Sequence, residues 1–438
     1  MVIRLQISQK GAIFVKTIMH SSMKPIRFIL TLLLLVVALP LLAQGDLVTI
    51  RGVVRDSQSG RVLQNVNLTI PASNIGTVSN SEGGFSLKVS AEALRGGVAC
   101  SHLGYRNAYL TLDELKKNNY NVVAWMVPIS VRVDEVAVYG GKARDIMLEA
   151  VSRIADNYPD HQSLFSAFYR ETIQKRRNYI GISEAVMSLY KSPYTHREIY
   201  RDRVRMERGR RLVSQSVRDT VAVKIAGGPS LAIALDLVKN ENEMLNAATL
   251  DFYDFELEDP VMLDSRMHFV VRARPLIQLD YALFKGRFYI DQERMSFTRA
   301  ELELDLSDRE KAIAAVLRQR PAGLKVRLNE VSFVVSYRNQ GDFTYLNYIR
   351  STFRFKCDWR RLFFSSPFTA VSEMVMVDRD DNAERIEHKE AFRSTHIFYD
   401  MVDERWEEDY WQEYNIIEPT ESLEEAVDKL RRRNQANQ

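Results

Sequence analysis

From Phe165 onward, apolar and polar residues alternate with a period of two. The clearest run is Ala300-Glu301-Leu302-Glu303-Leu304-Asp305-Leu306, and the pattern returns at Val331, Phe333, Val335 and Tyr337 and at Ile349, Phe353, Phe355 and Cys357. Successive side chains of a strand point to opposite faces, so these runs predict a large antiparallel sheet with one face buried. Strands are expected over Val371 to Val377 and Arg385 to Phe392, joined by the acidic stretch Asp378 to Glu384. Helical spacing replaces the alternation at Ile146, Ala150, Val151 and Ile154, which predicts a helix near 142–157. Further helices are expected near 229–240, 308–319 and 420–433. In the last, Ser422 and Glu425 fit a capping box, Leu423, Ala426, Val427 and Leu430 form an apolar stripe, and Arg431 to Arg433 sit at the negative end of the dipole.

The N-terminal part is patterned on a shorter scale. Seven strands are expected, at Val48 to Arg55, Val66 to Ile70, Gly76 to Asn80, Phe85 to Val89, Gly97 to His102, Asn107 to Leu112 and Asn121 to Val127. Turn residues such as Gly60, Pro71 and Gly83-Gly84 fall between them, at spacings of roughly 8–12 residues, as in a small antiparallel sandwich. Gly52, Asp56, Gly76, Gly83, Phe85, Gly104 and Tyr105 mark this stretch. In their spacing these residues resemble the carboxypeptidase regulatory-like domain. The resemblance implies a transthyretin-like or immunoglobulin-like sandwich of the kind common in cell-envelope proteins of Bacteroidota, with those seven residues as structural hallmarks. The fold class expected for the whole chain is therefore mainly β: this sandwich over 44–127, a linker over 128–141, then a β-rich domain over 142–438. The second domain is expected to be a curved sheet or half-barrel with a few packed helices.

Charge changes the picture mainly at the N-terminus. Residues 1–43 carry Arg4, Lys10, Lys16, Lys24 and Arg27, no acid, and an apolar run from Phe28 to Ala43. This reads as a signal peptide cleaved between Ala43 and Gln44; the apolar run is short against the ~20 residues needed to span a bilayer, although a permanent anchor is the competing reading. Its removal turns a formal charge of +3 into −2. Lys175-Arg176-Arg177 and the basic residues of Arg201 to Arg211 remain, but acids are interleaved with the latter, and a nucleic-acid binder needs a patch of one sign. No nucleic-acid partner is expected. Nor is a transmembrane span once the signal is gone.

Two further resemblances extend the picture. Val133-Asp134-Glu135-Val136-Ala137-Val138-Tyr139-Gly140-Gly141 is similar to the segment that joins the same domain to the plug of TonB-dependent starch-utilisation transporters, though too little chain follows for such a barrel. Ala167-Phe168-Tyr169-Arg170-Glu171, Tyr179 with Glu184-Ala185-Val186, Phe288-Tyr289-Ile290-Asp291 and Tyr414-Asn415-Ile416-Ile417-Glu418-Pro419 resemble a Bacteroidota arrangement of signal, regulatory-like sandwich and long uncharacterised β-rich domain. That arrangement implies a compartment, periplasm or outer membrane, and no reaction.

A zinc carboxypeptidase needs two imidazoles and a carboxylate with an HxxE spacing, and none of His102, His161, His196, His268, His388 or His396 has a glutamate three residues later. HExxH, GxSxG, GxGxxG and the P-loop are missing too. Cys100 and Cys357 lack CxxC spacing and read as small buried hydrophobes, with a disulfide as the competing reading. Asp378 to Glu384 could be a calcium loop but reads better as a polar turn. Trp406, Tyr410 and Tyr414, beside Trp411, could stack on sugars or pack into the core. Lys285 to Asp291, followed by a long alternating strand, is similar to the curved sheets of periplasmic lipoprotein and lipid carriers, in which the concave face holds an acyl chain. The expectation is a non-enzymatic exported protein, without cofactor or metal, that binds an envelope protein, glycan or other ligand; the alternative is a carrier of lipid or lipoprotein.

Overall fold

The computed structural model describes residues 47–129, 143–214, 228–241, 244–316, 324–359, 366–382, 384–403, 411 and 414–436. The signal segment with Ala43 and Gln44, the TonB-like segment, Trp406 and Tyr410 lie outside the described residues. The chain divides into two compact units. One is Met1–Val48 with Ser90–Glu92, of which only residues 47, 48 and 90–92 are described; the other, Thr49–Val89 with Ala93–Gln438, holds all that follows.

The seven expected N-terminal strands are present: β1 (Leu47–Asp56), β2 (Asn67–Thr69), β3 (Gly76–Val78), β4 (Gly84–Ser90), β5 (Val98–Ser101), β6 (Ala108–Leu110) and β7 (Asn121–Met126). They form a three-stranded sheet, β4-β1-β7, and a four-stranded one, β3-β2-β5-β6. Ile50, Val54, Leu68, Phe85, Leu87 and Cys100 are buried in this part. Two details differ from the sequence expectation. β1 and β7 pair in parallel, Arg51 with Asn121 through Asp56 with Met126, so the sandwich is not wholly antiparallel. The strand expected to reach Leu112 stops at Leu110, because Thr111 and Glu114 make a reciprocal capping box that starts helix α1 (Leu112–Lys117).

Ten further strands are described: β8 (Ser163–Lys175), β9 (Asn178–Lys191), β10 (Arg203–Val213), β11 (Tyr253–Leu263), β12 (Arg266–Pro275), β13 (Phe284–Asp291), β14 (Phe297–Leu304), β15 (Leu324–Gln340), β16 (Phe343–Trp359) and β17 (Ser366–Asp380). They make one open antiparallel sheet in the order β10-β9-β8-β17-β16-β15-β14-β13-β12-β11, not closed into a barrel. β8 pairs with the distant β17 because the intervening chain runs out to β10, restarts at β11 and returns strand by strand.

Among the described residues, the helices accompanying this sheet are α2 (Ala143–Ser152, continued by one turn at Ile154–Asn157), α3 (Gly228–Ala234), α4 (Arg309–Val316), a single turn at Phe398–Met401 and α5 (Glu421–Ala436). α3 is shorter than the expected 229–240. The chain beyond it forms turns, held by the buried Asp236, which accepts from Lys191 Nζ at 2.6 Å, Tyr194 Oη at 2.6 Å and Tyr337 Oη at 2.9 Å. Arg385 to Phe392 is not a strand: these residues are irregular and turn-forming. The cap of α5 is Thr420, whose Oγ accepts from the Leu423 amide at 3.1 Å, rather than Ser422.

Tertiary packing also overturns the expectation that only one face of the sheet is buried. Phe165, Ala167 and Tyr169 enter a core with α2, α3 and the Asp236 turns, yet Phe168 between them is equally buried on the opposite face, against Trp411 and Ile417. On that outer face Leu423 and Leu430 of α5 cover Ile182 and Leu212, and Val78 of the sandwich joins Tyr348 and Val375. The C-terminal segment is what covers a face that alternation alone assigns to solvent.

Candidate functional site

The Ala167-Phe168-Tyr169-Arg170-Glu171 motif straddles the sheet, and its two sides do different work. Arg170 points to the outer face, where Nε donates to Glu184 at 2.7 Å and Nη2 donates to the Ile417 carbonyl at 2.8 Å. Arg210 also reaches Glu184, at 2.7 Å, and the Trp411 indole donates to the same carboxylate at 3.1 Å. Burial pushes the Glu184 carboxyl up, but the two guanidiniums outweigh it and hold it below the usual range. Three of the quoted motifs, around Arg170, Glu184 and Ile417, thus converge on one clamp that fastens the C-terminal segment.

The inner face is where the sheet is left open. Phe288 and Ile290 of β13, from the segment likened to lipid carriers, are covered by the protein's own chain. At the other end a cavity of about 290 Å³ lies between β8, β9, β16 and β17 below and α3 and residues 397–400 above. Ile173, Ile180, Phe353, Phe355 and Ala370 supply an apolar floor; Leu231, Ala232 and Ile397 face them. A polar row crosses beside that floor in strict register. Arg211 of β10 is opposite Ser183 of β9, which is opposite Glu171 of β8, then Ser372 of β17 and Ser351 of β16. Partners in an antiparallel ladder project to the same side, so these five side chains share the inner face.

Glu171 is the centre of that row. Tyr169 Oη donates to its Oε1 at 2.6 Å, and a methyl group placed on Gly228 would come within 3.5 Å of the same oxygen. Burial raises the carboxyl to about 7, with the Tyr169 hydrogen bond pulling the other way. Arg211 turns its charge aside: it donates to the Tyr399 carbonyl and its guanidinium lies 4.5 Å from the centre of the Tyr399 ring. Among the described residues that line the cavity, the charged ones are Glu171 and Asp400, and none is Lys, Arg or His.

The residues singled out from sequence have other places. Asp56 accepts the Gln58 and Ser59 amides at 2.7 Å and the Tyr105 hydroxyl at 2.8 Å, which lowers its carboxyl and closes the turn after β1. At Gly52 a Cβ would sit 2.1 Å from the Val122 carbonyl, so only glycine admits the parallel β1–β7 approach. Gly83 adopts φ +75 in the turn before β4 and Phe85 lies in the sandwich core. Gly76 opens β3, and the Gly104 amide donates to the Met262 carbonyl at 2.7 Å. Cys100 and Cys357 are free and buried. Asp380 and Asp381 have protein partners, the Asn382 amide at 2.9 Å and Ser163 Oγ at 2.7 Å, and among the described residues no group of three or more His, Cys, Asp or Glu side chains is gathered for a metal. Trp411 packs edge-on against Phe168 in the outer core.

Local sequence pattern does not single out Glu171 and its row as a site. The signal was available: in the inward series Phe165, Ala167, Tyr169, Glu171, Ile173, one residue carries charge.

Comparison with known proteins bears on the two parts unequally. Residues 50–138 match the family CarboxypepD_reg-like domain. This match covers the sandwich and ends before the ten-stranded sheet begins. No curated protein matches the chain. Solved structures with some likeness include a candidate outer membrane lipoprotein-sorting protein domain from Vibrio parahaemolyticus, at 10% identity over 56% of this chain and 94% of that one, with a TM-score of 0.27. A DUF1329 family protein from Desulfovibrio piger has 10% identity over 57% and 99%, TM-score 0.23. The LolA superfamily protein NE2245 from Nitrosomonas europaea has 11% identity over 55% and 95%, TM-score 0.17. No helix among the described residues is long and apolar enough to cross a membrane.

Proposed function

We propose that this is an exported, non-enzymatic binding protein of the cell envelope whose ten-stranded sheet holds a small apolar or amphipathic ligand in the cavity beside Glu171. The observation that carries the reading is the cavity itself: an apolar floor of strand side chains with one ordered row of polar groups along its side. Small-molecule sites have this composition, with polar groups few and fixed in place, and a volume near 300 Å³ is at the lower end of their range. It suits a single acyl or aromatic chain rather than a whole diacyl lipid. Export is supported by the charged and apolar segment of residues 24–43 and by the regulatory-like domain match. Native mass spectrometry of the chain purified from the envelope fraction tests the reading. A co-purifying apolar species, absent from an Ala370→Phe variant, is expected; a clean apo mass in both would sink it.

A second reading keeps the sandwich as the docking module, for an envelope protein or glycan. Val123 (48% exposed) and Trp125 (51%) stand side by side on the outer face of β7, which has no strand on its far side among the described residues. Such an edge can accept a partner strand. Trp125→Glu should then release the protein from the outer-membrane fraction of its own cells, and unchanged sedimentation would count against docking there.

A further inference from the structure

The strongest unexplained feature is Glu171, a carboxylate that lines an apolar cavity with no basic partner among the described residues. Three buried carboxylates elsewhere among the described residues meet a cation. Glu184 has Arg170 and Arg210, Asp202 has Lys191, and Asp236 has Lys191 with two tyrosines. Glu171 has the Tyr169 hydroxyl, and its cross-strand neighbours Ser183 and Ser372 are neutral. The groups around it are Tyr169 on its own strand, Ser183 and then Arg211 across β9 and β10, Ser372 on β17, the Gly228 backbone of α3, and Tyr399 and Asp400 above. Arg211, the nearest base in this row, is engaged with Tyr399.

An ionised carboxylate left in a medium of low dielectric is costly unless a cation or several donors meet it. Among the described residues one hydroxyl donates to it, and the residue lines a space of about 290 Å³. Whatever enters that space meets the Glu171 carboxylate along the polar side and aliphatic and aromatic carbon along the floor. A free fatty acid or a phosphate ester would set like charge against Glu171. A protonated amine on an apolar chain satisfies both halves at once.

We infer that the cavity selects amphiphiles with a cationic head, an alkyl ammonium or comparable amine, whose nitrogen pairs with Glu171 while its chain lies along Ile173, Phe353, Phe355 and Ala370. This rests on the binding function proposed above and specifies its ligand class. No covalent step is involved. Tyr169 positions the carboxylate, and Ser351 and Ser372 are the neutral groups within reach of a head group's remaining N–H donors.

The test is isothermal titration of the full chain at pH 8, where Glu171 is ionised, with dodecylammonium, dodecanol and dodecanoate, each below its micellar concentration. Dodecylammonium is expected to bind about tenfold tighter than dodecanol and about 100-fold tighter than dodecanoate, each tenfold being 1.4 kcal/mol. In Glu171→Gln the ammonium-to-alcohol ratio should fall to about one, with far-UV circular dichroism checking the fold of the variant. A wild-type ratio at or below one overturns the inference, as does a ratio unchanged in Glu171→Gln, and in both cases dodecanol binding still upholds the cavity as a ligand site. If none of the three binds, the proposed function itself falls, and this inference with it.

Discussion

The Tyr169 hydroxyl donates to Glu171 Oε1 at 2.6 Å from two residues earlier on the same strand, so both side chains project from one face of β8. The pair is at once a core contact and the polar edge of a cavity. Tyr169 continues into the packed interior against Phe398, while Glu171 borders open space.

Stability should fall as pH rises through the window of Glu171. Its folded carboxyl titrates near 7 against an ordinary 4.5, so between those values the native state binds more protons than the unfolded one, and unfolding free energy declines. The loss is on the order of 3 kcal/mol, complete by about pH 8. Glu171→Gln should flatten this limb in urea titrations at a series of pH values. An unchanged slope would show that Glu171 is not the group responsible.

His102 contributes to the opposite limb. Burial lowers its imidazole from 6.5 to about 4, Arg299 adding to the effect, so it is neutral in the folded protein near neutral pH. The unfolded chain binds the proton first, and stability should drop as pH falls from 6.5 toward 4. Proton NMR of the His102 ring gives the direct check: a shift midpoint above 6 would refute the assignment.

Glu184→Ala should cost about 3–5 kcal/mol, since it strands Arg170 and Arg210 without their shared carboxylate in a buried site. The damage should appear first as release of residues 411–436, because Arg170 and Trp411 tie that segment to the sheet through Glu184 and the Ile417 carbonyl. Limited proteolysis distinguishes this from a uniform loss; protection of the C-terminal segment equal to wild type would contradict the clamp.

Ala370→Phe should place a ring in the cavity floor and reduce binding of every amphiphile at least tenfold while shifting the melting temperature by only a few degrees, since it fills space rather than displacing packed atoms. Gly52→Ala has no such space. Its methyl would meet the Val122 carbonyl at 2.1 Å, so strands β1 and β7 must part, and a loss of about 1–3 kcal/mol is expected in the sandwich. Equal stability of the two variants would argue against both placements.

Much of the architecture was legible in local pattern. Period-two alternation gave the long strands of the ten-stranded sheet, and the glycine and proline turns gave the seven N-terminal strands, because strand direction and turn geometry depend on neighbours in sequence. Where local rules failed, a distant segment was responsible. Arg385 to Phe392 alternates well enough for a strand, but β17, which it follows, already pairs with β8 and β16, and the segment turns beside β10 instead, its Phe392 amide donating to the Val204 carbonyl at 2.7 Å. Phe168 and Val186 fall on the face that alternation gives to solvent, yet Trp411 and Ile417 cover them.

The sequence by itself determined a mainly β chain, a sandwich of recognisable hallmarks, two cysteines placed in apolar strands, and the residue types of the motifs. It could not determine that Glu171 would face a cavity while Arg170 beside it faced a clamp. That depends on β8 lying between β9 and β17, more than 190 residues away, on α3 stopping short, and on the Asp236 turns covering one end of the inner face but not the other. Which part of a sheet is filled and which is left open is decided by the volumes that long-range packing brings together, and no local period encodes that sum.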